Sequence, residues 1–166
     1  MVGNPSVVSN LRTALPLEAQ LNLSYRLYAR LVHFMGVNDV APKLDSFGDD
    51  AHDAMKLVTK QLLFLTSDPT GKEDAGAEAV SYTVDVASPG TLTFTGVLQD
   101  ALVKEVSIAR LYDDEFVPTA YEQRDEETRH VWKDLIHQHR KNQRWLEKQL
   151  RLVGGLSESE YIAEKL

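Results

Sequence analysis

The sequence predicts an all-α protein, folded as an antiparallel four-helix bundle with one long crossover connection. Apolar residues recur at the spacing of a single helical face in four long stretches. The first two stretches are joined by the short link GVNDVAP, which favours antiparallel packing. Residues 66–96 lack a helical pattern and separate the second stretch from the third. A connection of that length suits a return along the whole bundle.

Composition and charge restrict the class of protein. The chain has 166 residues, of which 43% are hydrophobic and 26% charged, as expected of one globular domain with a core. The absence of cysteine excludes disulfides and thiolate metal sites. No apolar run approaches the ~20 residues of a membrane span, and the N-terminus lacks the pattern of a signal peptide. A net charge of −7 disfavours nucleic-acid binding. We therefore expect a cytoplasmic protein that neither enters a membrane nor binds nucleic acid.

The first two predicted helices differ in the chemistry of their buried faces. The first covers residues 11–35, with Pro16 as an alternative start or a kink. Its apolar face is interrupted by Glu18 and otherwise consists of Leu11, Ala14, Leu21, Tyr25, Tyr28 and Val32. The second helix covers residues 42–65, and its face is apolar throughout. That second face includes Ala51 and Ala54.

The crossover over residues 66–96 has the composition of a loop with short strands. Its first half, SDPTGKEDAGAEA, contains Pro, Gly and acidic residues. Residues 81–86 (SYTVDV) and 91–97 (TLTFTGV) are rich in β-branched and aromatic side chains, so one or two short strands are expected there.

Two further long helices and a short one complete the prediction. The third helix covers residues 97–123, with Pro118 expected to kink or end it. The fourth covers residues 125–153, begins with Asp125 as N-cap and stops at a Gly-Gly pair. The sequence SESE then predicts a short C-terminal helix over residues 158–166.

Polar side chains interrupt three of the four buried faces. Glu18 lies on the first face, Glu105 on the third, and His139 and Asn142 on the fourth. Carboxylate and imidazole groups at one height of the bundle would suit a divalent ion such as iron, manganese or zinc. The alternative is a buried hydrogen-bonded network without metal, because buried polar groups normally have partners. In that network, the hydroxyl of Tyr25 or of Tyr28 would contribute donors.

Four segments resemble the ferritin-like superfamily, and bacterioferritins most closely. They are LPLEAQLNLSYRLYARL in the first helix, KEVSIARLY in the third, RWLEKQL in the fourth, and the C-terminal GLSESEYIAEKL. Glu18, Tyr25 and Glu105 fall on positions that match the family pattern. The resemblance implies a four-helix bundle that usually forms a symmetric cage and oxidises or stores iron.

The sequence also departs from the pattern of that family at its metal ligands. The family's second helix carries a Glu-x-x-His pair, where this chain has Ala51, His52, Asp53 and Ala54. The second Glu-x-x-His of the family, on the fourth helix, is replaced by His139 and Asn142. A haem is not expected, because His52 stands where bacterioferritins have their haem-binding Met.

These matches and departures define the predicted site. The metal ligands implied by the resemblance are Glu18 and Glu105, with His139 as a substitute. The weaker candidates for metal ligands are Asn142, Asp50 and His52. The hydroxyl groups expected around the ligands are those of Tyr25, Tyr28 and Tyr112.

Two functions from different classes follow. The first is a ferritin-like metal protein that binds iron, with a role in iron storage or homeostasis and impaired or absent ferroxidase chemistry. It is an enzyme only if a metal site is retained. The alternative is a non-catalytic structural or interaction protein that has lost the metal. In both cases the resemblance implies a homo-oligomer, with Trp132 and Leu27 expected on the contact surface.

Overall fold

A computed structural model describes residues 3–67 and 92–155 of the chain. Within these ranges α3 (Phe94–Leu111), a π-helical turn (Tyr112–Phe116) and α4 (Val117–Glu122) follow one another without interruption and form the third long helix of the bundle. The prediction of four long helices in an all-α bundle is therefore confirmed. None of the described helices has the length and apolar character needed to cross a membrane. The elements are α1 (Pro5–Phe34), α2 (Ala41–Thr66), α3 (Phe94–Leu111), the π-helical turn (Tyr112–Phe116), α4 (Val117–Glu122) and α5 (Glu126–Gly155).

Hydrogen bonds at the lower end of the bundle establish the direction of α1, α2 and α4. The Gly3 amide donates to the Leu65 carbonyl at 2.8 Å, so the start of α1 lies beside the end of α2. The Asn4 amide donates to Gln123 at 2.7 Å, so the same start also lies beside the end of α4. Since α1 is antiparallel to both, α2 and α3 run in the same direction. The end of α2 and the start of α3 therefore lie at opposite ends of the bundle, as the predicted crossover requires.

Helix α5 begins at that same end, where Asp125 caps it. The Asp125 carboxylate accepts from the Thr128 amide at 2.9 Å and from its hydroxyl at 2.8 Å. The Thr128 hydroxyl in turn accepts from the buried amide of Gln61 at 2.9 Å, which ties the end of α2 to the start of α5. The predicted N-cap is therefore present, and α5 runs parallel to α1.

The first helix begins earlier than the sequence pattern indicated. It starts at Pro5 rather than at residue 11 or 16, and Pro16 lies inside it. The Asn4 side chain caps it by accepting from the Ser6 amide at 2.9 Å, and a proline in the first turn needs no hydrogen-bonded N–H. Pro16 removes one internal hydrogen bond, but the helix continues because Leu11 and other apolar side chains on both sides are buried.

The third helix also starts earlier and continues past its proline. Residues 94–97, assigned to a possible strand, are helical, because the Thr93 hydroxyl caps the helix by accepting from Gly96 at 3.0 Å. Near Pro118 the chain widens into the π-helical turn, in which the Val117 amide donates to the Tyr112 carbonyl. The extra residue in that turn accommodates the proline without ending the helix.

The core follows the predicted faces, with one correction at an aromatic residue. Trp132 is fully buried, packed on Tyr112 and Phe116 with ring centroids 4.9 Å from each, so it is not part of a contact surface. The apolar pattern of a single helix puts the Trp132 side chain on the bundle surface, because that pattern does not include the rings of the neighbouring helix that cover it. The expected strand at 81–86 and the expected short helix at 158–166 lie outside the described residues.

Candidate functional site

Glu18, Glu105 and His139 meet in the centre of the bundle, and we call these three residues the carboxylate–histidine cluster. They come from α1, α3 and α5. Each interrupts an otherwise apolar stripe, so packing of the apolar residues on either side carries the polar group into the core. Both glutamates are 0% exposed and His139 is 3% exposed.

The imidazole of His139 lies between the two carboxylates. Its Nδ1 is 2.6 Å from Oε2 of Glu105, and its Nε2 is 2.7 Å from Oε1 of Glu18. A neutral imidazole has one N–H, whereas both ring nitrogens here face acceptors, so the geometry suits the doubly protonated cation. Burial lowers the pKa of His139, but the charge of Glu18 and hydrogen bonds to both glutamates outweigh it and raise the pKa to about 10. The hydrogen-bond geometry and the raised pKa both favour the imidazolium form of His139 at neutral pH.

Two tyrosines complete the cluster in a reciprocal arrangement. On α1, Tyr25 follows Glu18 by two helical turns, and on the third helix Tyr112 follows Glu105 at the same spacing. Because these helices are antiparallel, each tyrosine reaches the glutamate of the other helix. Tyr25 donates to Glu105 Oε1 at 2.5 Å, and Tyr112 donates to Glu18 Oε1 at 2.8 Å. Burial, followed by the adjacent carboxylates, raises the pKa of both tyrosines well above its ordinary value, so both remain neutral donors.

The two carboxylates differ in how completely their oxygens are paired. Glu105 also accepts from the Asn142 amide at 3.1 Å, so both of its oxygens have donors. Glu18 receives His139 and Tyr112 on the same oxygen, Oε1. Its Oε2 is buried and has no hydrogen-bond partner. A buried carboxylate oxygen without a donor is unusual in a folded protein.

Gln138, which the sequence did not single out, connects the cluster to α2. Its amide donates to the Asn142 carbonyl oxygen at 3.1 Å and to Asp50 at 3.0 Å. Asp50 is half-buried, and burial raises its pKa. It is connected to Glu105 through Gln138 and Asn142, and its hydrogen bond with the Asn142 side chain partly offsets the effect of burial on its pKa. The sequence feature that points to Gln138 is its position one turn before Asn142, on a helix whose buried face carries polar residues.

The remaining candidates lie apart from the cluster. His52 is exposed on the surface of α2, while Ala51 and Ala54 are buried there. Tyr28 is buried but donates to Asp100 of α3, so it does not surround the glutamates as expected. The sequence pattern groups Tyr28 with the cluster because Tyr28 shares a helical face with Tyr25. In the structure, Tyr28 lies nearly one turn further along α1.

The chemistry of this donor set does not fit the two-ion centre that the family resemblance implies. Both nitrogens of His139 and three of the four glutamate oxygens are engaged within the cluster. On α2, the positions of the family's Glu-x-x-His pair carry Ala51 and Ala54, which have no metal-binding group. Among the described residues, no group of three or more His, Asp or Glu side chains has the arrangement of an ion-binding site. The imidazole occupies the space between the carboxylates that a bridging ion would need.

Comparisons with known proteins agree with this fold. Residues 8–154 match the model of the ferritin-like domain family, so the chain belongs to that family. The structure is similar to that of bacterioferritin from Rhodobacter capsulatus, with a TM-score of 0.83 and 21% identity, over 99% of this chain and 96% of that one. That bacterioferritin structure has a metal-free dinuclear site and a haem iron in a crystallographic special position. No curated protein matches this chain in sequence.

Proposed function

We propose that this protein is a ferritin-like subunit without ferroxidase chemistry, which acts as a structural or interaction component in an assembly of its own copies. The observation that carries the proposal is the position of His139 between Glu18 and Glu105. Iron oxidation at two ions needs open ligand positions on both, whereas this ring fills the gap and its nitrogens are already hydrogen-bonded. The missing ligands on α2 support the same conclusion.

The test is ferrous iron oxidation by the purified wild-type protein. We expect oxidation no faster than in buffer after two ferrous ions per subunit are added anaerobically and air is admitted. A ferritin with a complete di-iron centre provides the positive control. Rapid oxidation of both ions, followed by absorbance of the ferric product, would rule the proposal out.

Self-association is the second part of the proposal. It is supported by membership of the ferritin-like family and by large apolar side chains on the surface, such as Phe34, which is 91% exposed, together with Leu63 and Phe64 near the end of α2. Sedimentation velocity at micromolar concentration should give a mass of at least a dimer. A monomer would contradict this part and leave the conclusion on iron oxidation unaffected.

One observation favours a second candidate, a protein that binds a single divalent ion such as iron, manganese or zinc in an iron-storage role. Glu18 Oε2 has no partner and is the one unengaged carboxylate oxygen in the cluster. Binding through Glu18 and Glu105 requires His139 to turn aside and become a ligand, with Asn142 and Asp50 as more distant contributors. Elemental analysis after purification without added metal tests this candidate. About one ion per subunit, lost in Glu18→Ala, would support it over the first.

A further inference from the structure

We propose that His139 is an internal counter-ion, a permanent substitute for the metal ion that two facing buried carboxylates would otherwise require. The inference rests on the proposed function, because it explains how a ferritin-like bundle retains Glu18 and Glu105 in its core without a bound ion. It adds that the metal-binding capacity of the cluster is suppressed by one side chain and returns when that side chain is removed.

The charges of the cluster favour this role for His139. Two buried carboxylates brought together repel each other, so a cation must lie between them or one must be protonated. Among the ion pairs of residues 3–67 and 92–155, His139 is the partner of both Glu18 and Glu105, and neither glutamate is paired with a lysine or arginine. The ring of His139 thus lies where a cation between the two carboxylates would lie, and as an imidazolium it offsets one of their two negative charges.

Without the imidazole, only neutral donors would remain at the two glutamates. The other donors to the glutamates, Tyr25, Tyr112 and Asn142, are neutral, and they come from α1, the π-helical turn and α5. These donors hold the carboxylate oxygens in place without compensating their charge. Truncation of the side chain at 139 therefore leaves two positioned carboxylates facing a cavity of about the size of the lost ring.

The ligands around this cavity determine which ion it would take. The groups around it are the carboxylate oxygens of Glu18 and Glu105 and the hydroxyl of Tyr112, whose ring centroid lies 5.8 Å from that of His139. Oxygen ligands with room for water suit a hard divalent cation, so Mn²⁺ is the appropriate probe. Its electron paramagnetic resonance signal also reports binding directly.

The experiment compares four proteins: wild type, His139→Ala, the double variant His139→Ala with Glu18→Gln, and His137→Ala. His137 is exposed on the same helix and provides the matched control. Thermal unfolding is measured in EDTA and with increasing Mn²⁺. The Tm of wild type and of His137→Ala should not change. The Tm of His139→Ala should be lower in EDTA and rise with Mn²⁺, with about one ion bound per subunit, as mass action requires of a ligand bound by the folded state. The double variant should lose this response.

Two results would overturn the inference. One is Mn²⁺ binding by wild type with the affinity of His139→Ala, since the imidazole would then not exclude the ion. The other is a folded His139→Ala that binds no Mn²⁺. If the alanine variant does not fold in EDTA, His139→Ser replaces it, because a small neutral side chain leaves the space of the ring open and the carboxylates uncompensated. Absence of Mn²⁺ binding by the folded serine variant would overturn the inference equally. Failure here leaves the absence of ferroxidase chemistry untouched, because that is judged from iron oxidation by wild type, whereas Mn²⁺ binding by wild type would favour the single-ion candidate.

Discussion

The two glutamates at the bundle centre occupy matching positions on antiparallel helices, yet their surroundings differ. Glu105 has donors on both oxygens, from Tyr25, Asn142 and His139. Glu18 has two donors on one oxygen and none on the other. The difference arises from α5, whose Asn142 reaches one glutamate but has no counterpart at the other. The cluster therefore has one saturated side, at Glu105, and one side with unused capacity, at Glu18.

Matched amide substitutions should separate the two sides most strongly. In Glu105→Gln, the new NH₂ group must face a donor that was bonded to the carboxylate, so we expect a loss of about 3 kcal/mol in the free energy of unfolding. In Glu18→Gln, the NH₂ can take the place of Oε2, against which no donor is directed, and the loss should be about 1 kcal/mol. Urea unfolding at pH 7 measures both. Equal losses would mean that Glu18 Oε2 has a partner in solution.

Stability should also fall at alkaline pH because of His139. The pKa of His139 is raised from an ordinary 6.5 to about 10 in the folded protein, so folding favours the protonated, positively charged form of the ring. The stability that it contributes is fully present below pH 6.5 and is lost as the pH rises towards 10. The groups facing it are Glu18 and Tyr25 from α1, Glu105 from α3 and Tyr112 from the π-helical turn.

The glutamine variant at position 139 is the control for that pH dependence. We expect the urea midpoint of wild type to decrease as the pH rises from 6 to 9.5. The midpoint of His139→Gln should change less, so the difference between the two midpoints should narrow. A difference that stays constant across this range would mean that His139 does not change its charge there.

Much of this arrangement could be predicted from the sequence, because helical periodicity places polar residues on a buried face. The pattern identifies Glu18, Glu105, His139 and Asn142, and all four are buried. His139 bonds both glutamates, and Asn142 bonds Glu105. Periodicity states which face a residue shares, but not the height or rotamer of its side chain. It could therefore not establish that His139 bridges the carboxylates, or that Gln138 joins them to α2.

The helix boundaries show the same limit in another form. The sequence placed the start of the first helix by its apolar pattern, whereas the structure begins it at the capping pair Asn4 and Pro5. The third helix likewise follows its Thr93 cap, and its proline is accommodated by a π-helical turn. Local hydrogen bonds decide these ends, and an apolar pattern does not report them.

Removal of the tyrosine hydroxyls should reproduce the asymmetry at a smaller scale. Tyr112→Phe leaves Glu18 with one donor, and we expect a loss of about 2 kcal/mol in the free energy of unfolding. Tyr25→Phe leaves Glu105 with two donors, and the loss should be about 1 kcal/mol. Tyr121→Phe, at an exposed position, is the control and should change stability little. A larger loss for Tyr25→Phe would reverse the assignment of the saturated side.

The smallest effect should come from the link between the saturated side and α2. Gln138 orients the Asn142 amide towards Glu105 by donating to its carbonyl oxygen, and it also bonds Asp50. Because Gln138 is only half-buried, water can replace part of what is lost in Gln138→Ala, and we expect a loss of about 0.5–1 kcal/mol in the free energy of unfolding. Gln143→Ala is the matched control, since Gln143 lies on the same helix and bonds only within it. If the two variants are equally stable in urea, the amide link does not support Glu105, and the saturation of that side depends on Asn142 alone.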